Sequence, residues 1–360
     1  MYLNGIQFIF YIAFLPCGIS ALFVYLIIRF SKKHNLYDKT GGRKIHSGNI
    51  SRLGGIGFVS AFLLTFVILH FKFPQFRLLQ SNFVYITVGS MLIFFMGILD
   101  DIKNWKPFFK LLVQSAAACL VLYAGFRFTK ITFAPLNLYL HFGYFGYVIT
   151  FFWIIGITNA VNLMDGIDGQ AAGLTISILI SYAVIFYAVG MNSAIIYTCF
   201  LLVFALAGFL FFNLARPTAK IFMGDCGAQF LGFTVAILPL LHQNNAIETI
   251  SLHFAAMFLM LPIFDTFAAI WRRLREKRSI GEGDRYHIHH KLMLMGFSSR
   301  KALVVFMLLQ IIVNIFVTIA ILTRGVSAPF ILLGLLLTGL LFFALIHYKK
   351  EKIIAEKTTD

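Results

Sequence analysis

Eleven apolar segments follow one another along this chain, near residues 6–30, 54–71, 83–99, 108–126, 144–158, 170–190, 194–212, 228–242, 249–271, 302–323 and 327–347. A bilayer's hydrocarbon core is about 30 Å thick, so a helix needs about 20 apolar residues to cross it. Backbone groups in lipid must satisfy their own hydrogen bonds, which makes helices of such segments. Only 12% of the 360 residues are charged, against about 25% in soluble proteins. The expectation is an all-α polytopic membrane protein with about eleven transmembrane helices. Segment 127–143 is broken by Pro135 and polar residues, and reads as a small external hairpin. With neither repeats nor low-complexity tracts, residues 1–348 read as one transmembrane domain and 349–360 as a short basic tail.

The loops set the expected orientation. The chain starts MYLNG, without a positive n-region or a small-residue cleavage site, and Arg29, Lys32 and Lys33 follow the first apolar run. That pattern reads as a retained span with its N-terminus outside. Alternating from there, 25 of the 30 Lys and Arg fall on the inner side, and the C-terminus is cytoplasmic. This asymmetry is the positive-inside pattern. Of the 14 acids only Glu248 falls outside. Insertion does not demand that second asymmetry, because acids contribute little to topology. Polar chemistry is therefore concentrated on one membrane face. A solute carrier would instead place ionisable groups at mid-bilayer within inverted repeats. Cys17, Cys119, Cys199 and Cys226 form no CxxC pair, which argues against a disulfide framework and a zinc site.

Five inner-face clusters carry the chemistry. NAVNLMDGIDGQAAG (159–173) packs Asn159, Asn162, Asp165 and Asp168 between two apolar segments. A carboxylate at mid-bilayer costs roughly 2.5–3.5 kcal/mol on insertion scales, so acids at a membrane edge point to function. Read as helix, the i, i+3 spacing puts all four side chains on one face. Oxygen ligands of this kind suit a hard divalent cation and a phosphate. RKIHSGNISRLGGIGF (43–58) offers Lys44, His46 and Arg52 beside the glycine pair Gly54 and Gly55. GILDDIKNWK (97–106) ends a span on Asp100 and Asp101. RPTAKIFMGDCGAQFLG (216–232) places Asp225 in a glycine turn at a span's start, with Phe222 available to stack on a base. PIFDTFAAIWRRLREKRSIGEGDRYHIHHKL (262–292) supplies Asp265, Arg272, Arg273, Asp284, Arg285, His287, His289 and His290. H-x-H-H lacks the HExxH or Cys partners of a zinc site, and reads as contacts to a diphosphate and a sugar. Acids, amides, arginines and histidines at one face fit metal-assisted phosphoryl transfer.

These ordered motifs, KIHSGNISRLGG, LDD, NAVNLMDGIDG, FMGDCGA and DRYHIHHKL, span almost the whole chain. Through them it resembles the bacterial polyprenyl-phosphate N-acetylhexosamine-1-phosphate transferases. The superfamily includes the phospho-MurNAc-pentapeptide translocase, but H-I-H-H resembles the branch using UDP-GlcNAc or a related UDP-HexNAc. The resemblance implies transfer of HexNAc-1-phosphate, foremost GlcNAc-1-phosphate, from a UDP-HexNAc to undecaprenyl phosphate with release of UMP. It implies Mg2+ (or Mn2+), a cytoplasm-facing site in the bacterial inner membrane, and a cell-envelope glycan as the downstream product. The partners are the UDP-sugar, undecaprenyl phosphate and membrane lipid, with no nucleic acid; a homodimer stays open. By motif position Asp225 matches a metal ligand assisted by Asn162. Asp100 and Asp101 match the acidic pair near the lipid phosphate, and Asp165 and Asp168 the nucleotide-side acids. Lys44, His46, Arg52, Phe222, Arg272 or Arg273, His287, His289 and His290 match substrate-binding positions. Ser51 and Ala228 depart from the family's usual Pro and Ser, and 279–283 from its Ser-Pro-Phe. Direct attack by the lipid phosphate is the expected mechanism, since the acceptor is already anionic.

Overall fold

In a computed structural model of the protein, residues 5–37, 50–76, 81–133, 138–242, 249–279, 286–323 and 327–359 are described. Helices occupy every one of the eleven apolar segments. Eight are long and apolar enough to cross a membrane. They are α1 (Gly5–His34), α2 (Gly54–Lys72), α3 (Ser81–Lys103), α5 (Phe145–Leu163), α6 (Gln170–Ala188), α7 (Ser193–Asn213), α12 (Ser299–Thr323) and α13 (Ser327–Thr359). Two are shorter, α4 (Pro107–Tyr123) and α8 (Gly224–Leu240). The last segment is a pair, α9 (Leu252–Phe258) and α10 (Met260–Arg275), bent by 81° at Leu259. Among the described residues eight helices, or nine if the bent pair crosses once, are by length and apolarity able to span, so the chain is a multi-pass membrane protein. Helix α13 continues without a break through the expected tail boundary.

Short α8 is the axis of the bundle. It is packed by α2, α3, α5 and α6, and nearly all its residues are buried. Lipid gives apolar helices little reason to prefer each other, so close packing of small residues must hold them. A Cβ on Gly55 of α2 would lie 2.3 Å from the Gly227 nitrogen, and one on Gly97 of α3 would lie 2.3 Å from Cys226 Cα. These two glycines let α2 and α3 press directly on the first turn of α8.

The bend between α9 and α10 frees backbone groups that the membrane cannot solvate. Gln310 of α12 donates its amide to the Phe258 carbonyl at the break (2.9 Å) and to Asn314 Oδ1 (2.7 Å). Helix α10 itself is inside out. Asp265, Ala269 and Arg273 are buried, while Phe267, Trp271 and Leu274 are exposed. An exposed apolar stripe with Asp265 and Arg273 turned inward suits a lipid or protein surface rather than water. Within 127–143, antiparallel strands β1 (Lys130–Phe133) and β2 (Leu138–His141) pair Lys130 with His141 through Phe133 with Leu138. The expected hairpin is present.

Candidate active site

The ends of α3, α4 and α8 converge. Asp101, in the last turn of α3, accepts hydrogen bonds from the backbone N–H groups of Asp225 (2.8 Å) and Cys226 (3.0 Å). A helix start leaves such donors unsatisfied, so one helix caps another. Gly224 makes the junction possible. Its φ of +76° favours glycine, and a Cβ there would sit 1.9 Å from the Arg52 carbonyl oxygen. Asp100 accepts from the Trp105 N–H (2.8 Å) and contacts the Lys110 ammonium with its other oxygen. Lys110, in the first turn of α4, also donates to Asp225 Oδ2 at 2.9 Å. Arg52 faces the second Asp225 oxygen at 3.7 Å. Residues 50–55 run beside 221–223. Phe222 N–H donates to the Ser51 carbonyl (2.8 Å), and Gly54 N–H to the Phe222 carbonyl (3.0 Å). Phe222 keeps a half-buried side chain at this seam.

The turn 164–169 forms the second wall. Helix α5 ends at Leu163, so the expected single helical face through Asp168 does not exist. The i, i+3 spacing holds only for Asn159 and Asn162. Gly169, at φ +79°, opens α6, and its N–H donates to Asn213 Oδ1 at 2.7 Å. Asn213 in turn donates to the Ile221 carbonyl (2.9 Å), tying the turn to the Asp225 seam. Asp165 lies within electrostatic reach of Asp225, Arg52, Asp168 and Asp101. Its carboxyl keeps some accessible surface but is packed round by protein. That burial, then the Asp225 charge, pushes its pKa up to about 7 against the pull of Arg52. Asn159 turns away from this wall, toward Gln114.

The third wall is helix α11 (Ile288–Leu294) and the histidines at its start. Asp265 of α10 accepts from His287 Nδ1 (2.7 Å) with one oxygen and from the Ile288 N–H (2.9 Å) with the other. The His287 and His289 rings lie nearly parallel, 5.9 Å apart, and His290 is 4.3 Å from His289. His289 rests on Gly166 so closely that a Cβ there would be 2.1 Å from its ring. It is 2% exposed, and among the described residues neither ring nitrogen has a hydrogen-bond partner. Burial, with the neighbouring His290 and His287, lowers its pKa to about 3 and keeps it neutral. On α10 Arg273 turns inward with Asp265, whereas Arg272 stays half-exposed. Lys44, His46, Asp284 and Arg285 lie outside the described residues.

Sequence reasoning gives Lys110 no place in the site and Asp265 no partner. Lys110 was absorbed in the positive-inside tally, although a lysine and Gln114 four residues apart in an apolar helix mark one polar face. Asp265 stands in the fifth cluster of the sequence, but only the fold shows that it holds His287 and the start of α11. Among the described residues no three His, Cys, Asp or Glu side chains converge on one point. Two carboxylates, Asp100 and Asp225, do converge on the Lys110 ammonium. One or two carboxylates completed by substrate phosphates are how Mg2+ is ordinarily held, so the oxygen donors fit that ion.

Comparison with known proteins places the chain in a family. Residues 83–243, from α3 through α8, match the family described as glycosyl transferase family 4. The chain is 35% identical over 310 residues to a Bacillus subtilis protein named a probable undecaprenyl-phosphate N-acetylglucosaminyl 1-phosphate transferase, covering 84% of this chain and 83% of the relative. It is 33% identical over 291 residues to the Yersinia pestis undecaprenyl-phosphate alpha-N-acetylglucosaminyl 1-phosphate transferase, covering 79% and 77%. The Escherichia coli K12 protein of the same name is 32% identical over 290 residues, covering 79% and 76%. With acids, cations and histidines gathered at the helix ends of a multi-pass bundle, and likeness along most of its length, the chain belongs to glycosyl transferase family 4 and is a membrane-embedded phosphoglycosyl transferase.

Proposed function

We propose that this protein transfers GlcNAc-1-phosphate from UDP-GlcNAc to undecaprenyl phosphate, releasing UMP, at the cytoplasmic face of the bacterial inner membrane. The observation that carries this reading is Asp225 held between Arg52 and Lys110 where apolar helices end. A soluble, charged donor and a lipid-borne phosphate meet only at such a boundary. The charge tally supports eleven crossings with the N-terminus outside, the short α4 and α8 and the bent α9–α10 completing the count.

The acceptor phosphate oxygen attacks the sugar-bearing phosphorus of the donor, and the bond to the UMP oxygen breaks. No covalent enzyme intermediate is needed, because the nucleophile arrives as an anion. Arg52 and Lys110 balance the phosphate charge that gathers in the transition state. Asp225 with Asp100, and Asn162 by its motif position, would hold Mg2+, which would supply Lewis-acid neutralisation of the phosphate oxygens. Asp101 keeps Asp225 at the helix start, and Asp165 and Asp168 line the nucleotide side. Arg273 and the histidines His287, His289 and His290 bind the donor's diphosphate and sugar. Neutral, unpartnered ring nitrogens on His289 suit the sugar's hydroxyl and amide groups. Phe222 offers a face for the base.

Purified protein in lipid nanodiscs, given UDP-GlcNAc and undecaprenyl phosphate, should release UMP and form a GlcNAc-diphospholipid, and EDTA should stop both. Turnover unaffected by chelation would remove the metal from the scheme. Parallel reactions with UDP-GalNAc and UDP-MurNAc-pentapeptide decide the sugar. Faster product formation from either would replace the GlcNAc reading.

A further inference from the structure

Beneath the charged cluster lies a floor of three amides. Gln114 of α4 donates to Gln229 Oε1 of α8 at 2.9 Å and to Asn159 Oδ1 of α5 at 3.3 Å. Asn159 returns a bond to Gln114 Oε1 at 2.7 Å and gives another to the Ile155 carbonyl at 2.8 Å. Gln114 and Gln229 are each 1% exposed. Each amide stands one helical turn deeper than a site residue on its own helix. Gln114 follows Lys110 by four, Gln229 precedes no site residue but follows Asp225 by four, and Asn159 lies three before Asn162. Such offsets share a helix face.

Leucines would fill these positions without burying polar atoms, and polar groups inside a membrane are costly unless they serve a purpose. Amide pairs add what leucine cannot, a direction. Gln114 fixes the rotation of α4 against α8 and α5, and the Lys110–Asp225 contact lies one turn beyond that fixed point. We propose that Gln114 is a positioning residue that registers α4 on α8, so that Lys110 bridges Asp100 and Asp225, and that it acts on the reaction through Lys110. This rests on the reading of the charged cluster as the reaction site.

The test is a double-mutant cycle on the full-length protein in nanodiscs, with UMP release measured for wild type, Gln114→Leu, Lys110→Met and the double variant. Gln114→Leu should lower kcat about 10- to 100-fold, as a misplacement near 1 Å does. Its KM for UDP-GlcNAc should stay close to wild type, and its thermal midpoint should fall, because Gln229 Oε1 and the Asn159 amide lose a buried partner. Where Lys110 is already replaced, Gln114→Leu should cost no more than about twofold further, because residues acting through one another are not additive. Multiplicative losses in the double variant would overturn the proposal and leave the cluster reading standing, as would a wild-type rate for Gln114→Leu. A wild-type rate for Lys110→Met would instead overturn the cluster reading itself. Should Gln114→Leu not fold, Gln229→Leu enters the same cycle, since it keeps the Gln114–Asn159 pair. Failure of both to yield a monodisperse protein would assign the amides to stability alone and end the proposal.

Discussion

Both oxygens of Asp225 face a cation, Arg52 on one side and Lys110 on the other. Asp225→Asn keeps the shape and removes the charge. Turnover should fall by at least about 10²-fold, the scale of losing one electrostatic partner of a transition state. The thermal midpoint should barely move, because the cap on α8 comes from Asp101 through backbone N–H groups. Asp165 makes a pH prediction. Its carboxyl titrates at about 7, raised chiefly by burial. If the anion serves the reaction, kcat/KM rises with unit slope up to about 7 and then levels, and Asp165→Asn removes that limb. The sign for stability is opposite. The folded protein keeps a proton that an unfolded chain sheds near 3.9, so the linked term lowers stability as pH rises from about 3.9 to 7. Gly166 is a third handle. A methyl group there would meet the buried His289 ring at 2.1 Å, so Gly166→Ala should cost about 1–3 kcal/mol by overpacking. Donor KM and the melting temperature should report it together.

Two elements owe their placement to single side chains on their neighbours. Asp265 anchors both the ring of His287 and the start of α11. Asn has one acceptor oxygen, which cannot serve both donors as the carboxylate does. Asp265→Asn should therefore raise the KM for UDP-GlcNAc and lower stability by about 1 kcal/mol, the usual worth of a cap. Steady-state kinetics with a melting curve separates the two effects. At the α9–α10 break Gln310 covers the Phe258 carbonyl. Gln310→Leu leaves a buried acceptor bare, at about 1–3 kcal/mol, and should be read as a lower melting temperature. At this scale spacing misled in one instructive place. Asn159 to Asp168 recur every third residue, which is helical arithmetic, yet the chain leaves α5 at Leu163. Gly166 and Gly169 were the visible warning, because a glycine at positive φ, as at Gly169, opens a turn rather than continuing a helix.

For the whole molecule the decisive quantity is sidedness. In a cysteine-free background, Tyr144→Cys before α5 should react with a membrane-impermeant maleimide from outside intact cells. Arg278→Cys after α10 should react only once the membrane is opened. Labelling of Arg278→Cys in intact cells would invert the topology. The apolar segments were legible because hydrophobicity belongs to each stretch by itself, whatever it later packs against. The motif set was legible for a similar reason, since a reaction on phosphates needs particular side chains. Acids and cations sorted to one side could also be counted without knowing any contact. Pairing could not be counted. That Lys110 reaches Asp225 across 115 residues, that Asp101 caps a helix begun 123 residues later, and that Asp265 grips His287 depend on which helices touch. Sequence alone therefore determined a multi-pass helical bundle that carries the motifs of a phosphoglycosyl transferase. Tertiary structure alone decided which carboxylates meet cations and which hold backbone N–H groups, because that depends on helix rotation and crossing, set by small-residue packing between distant segments.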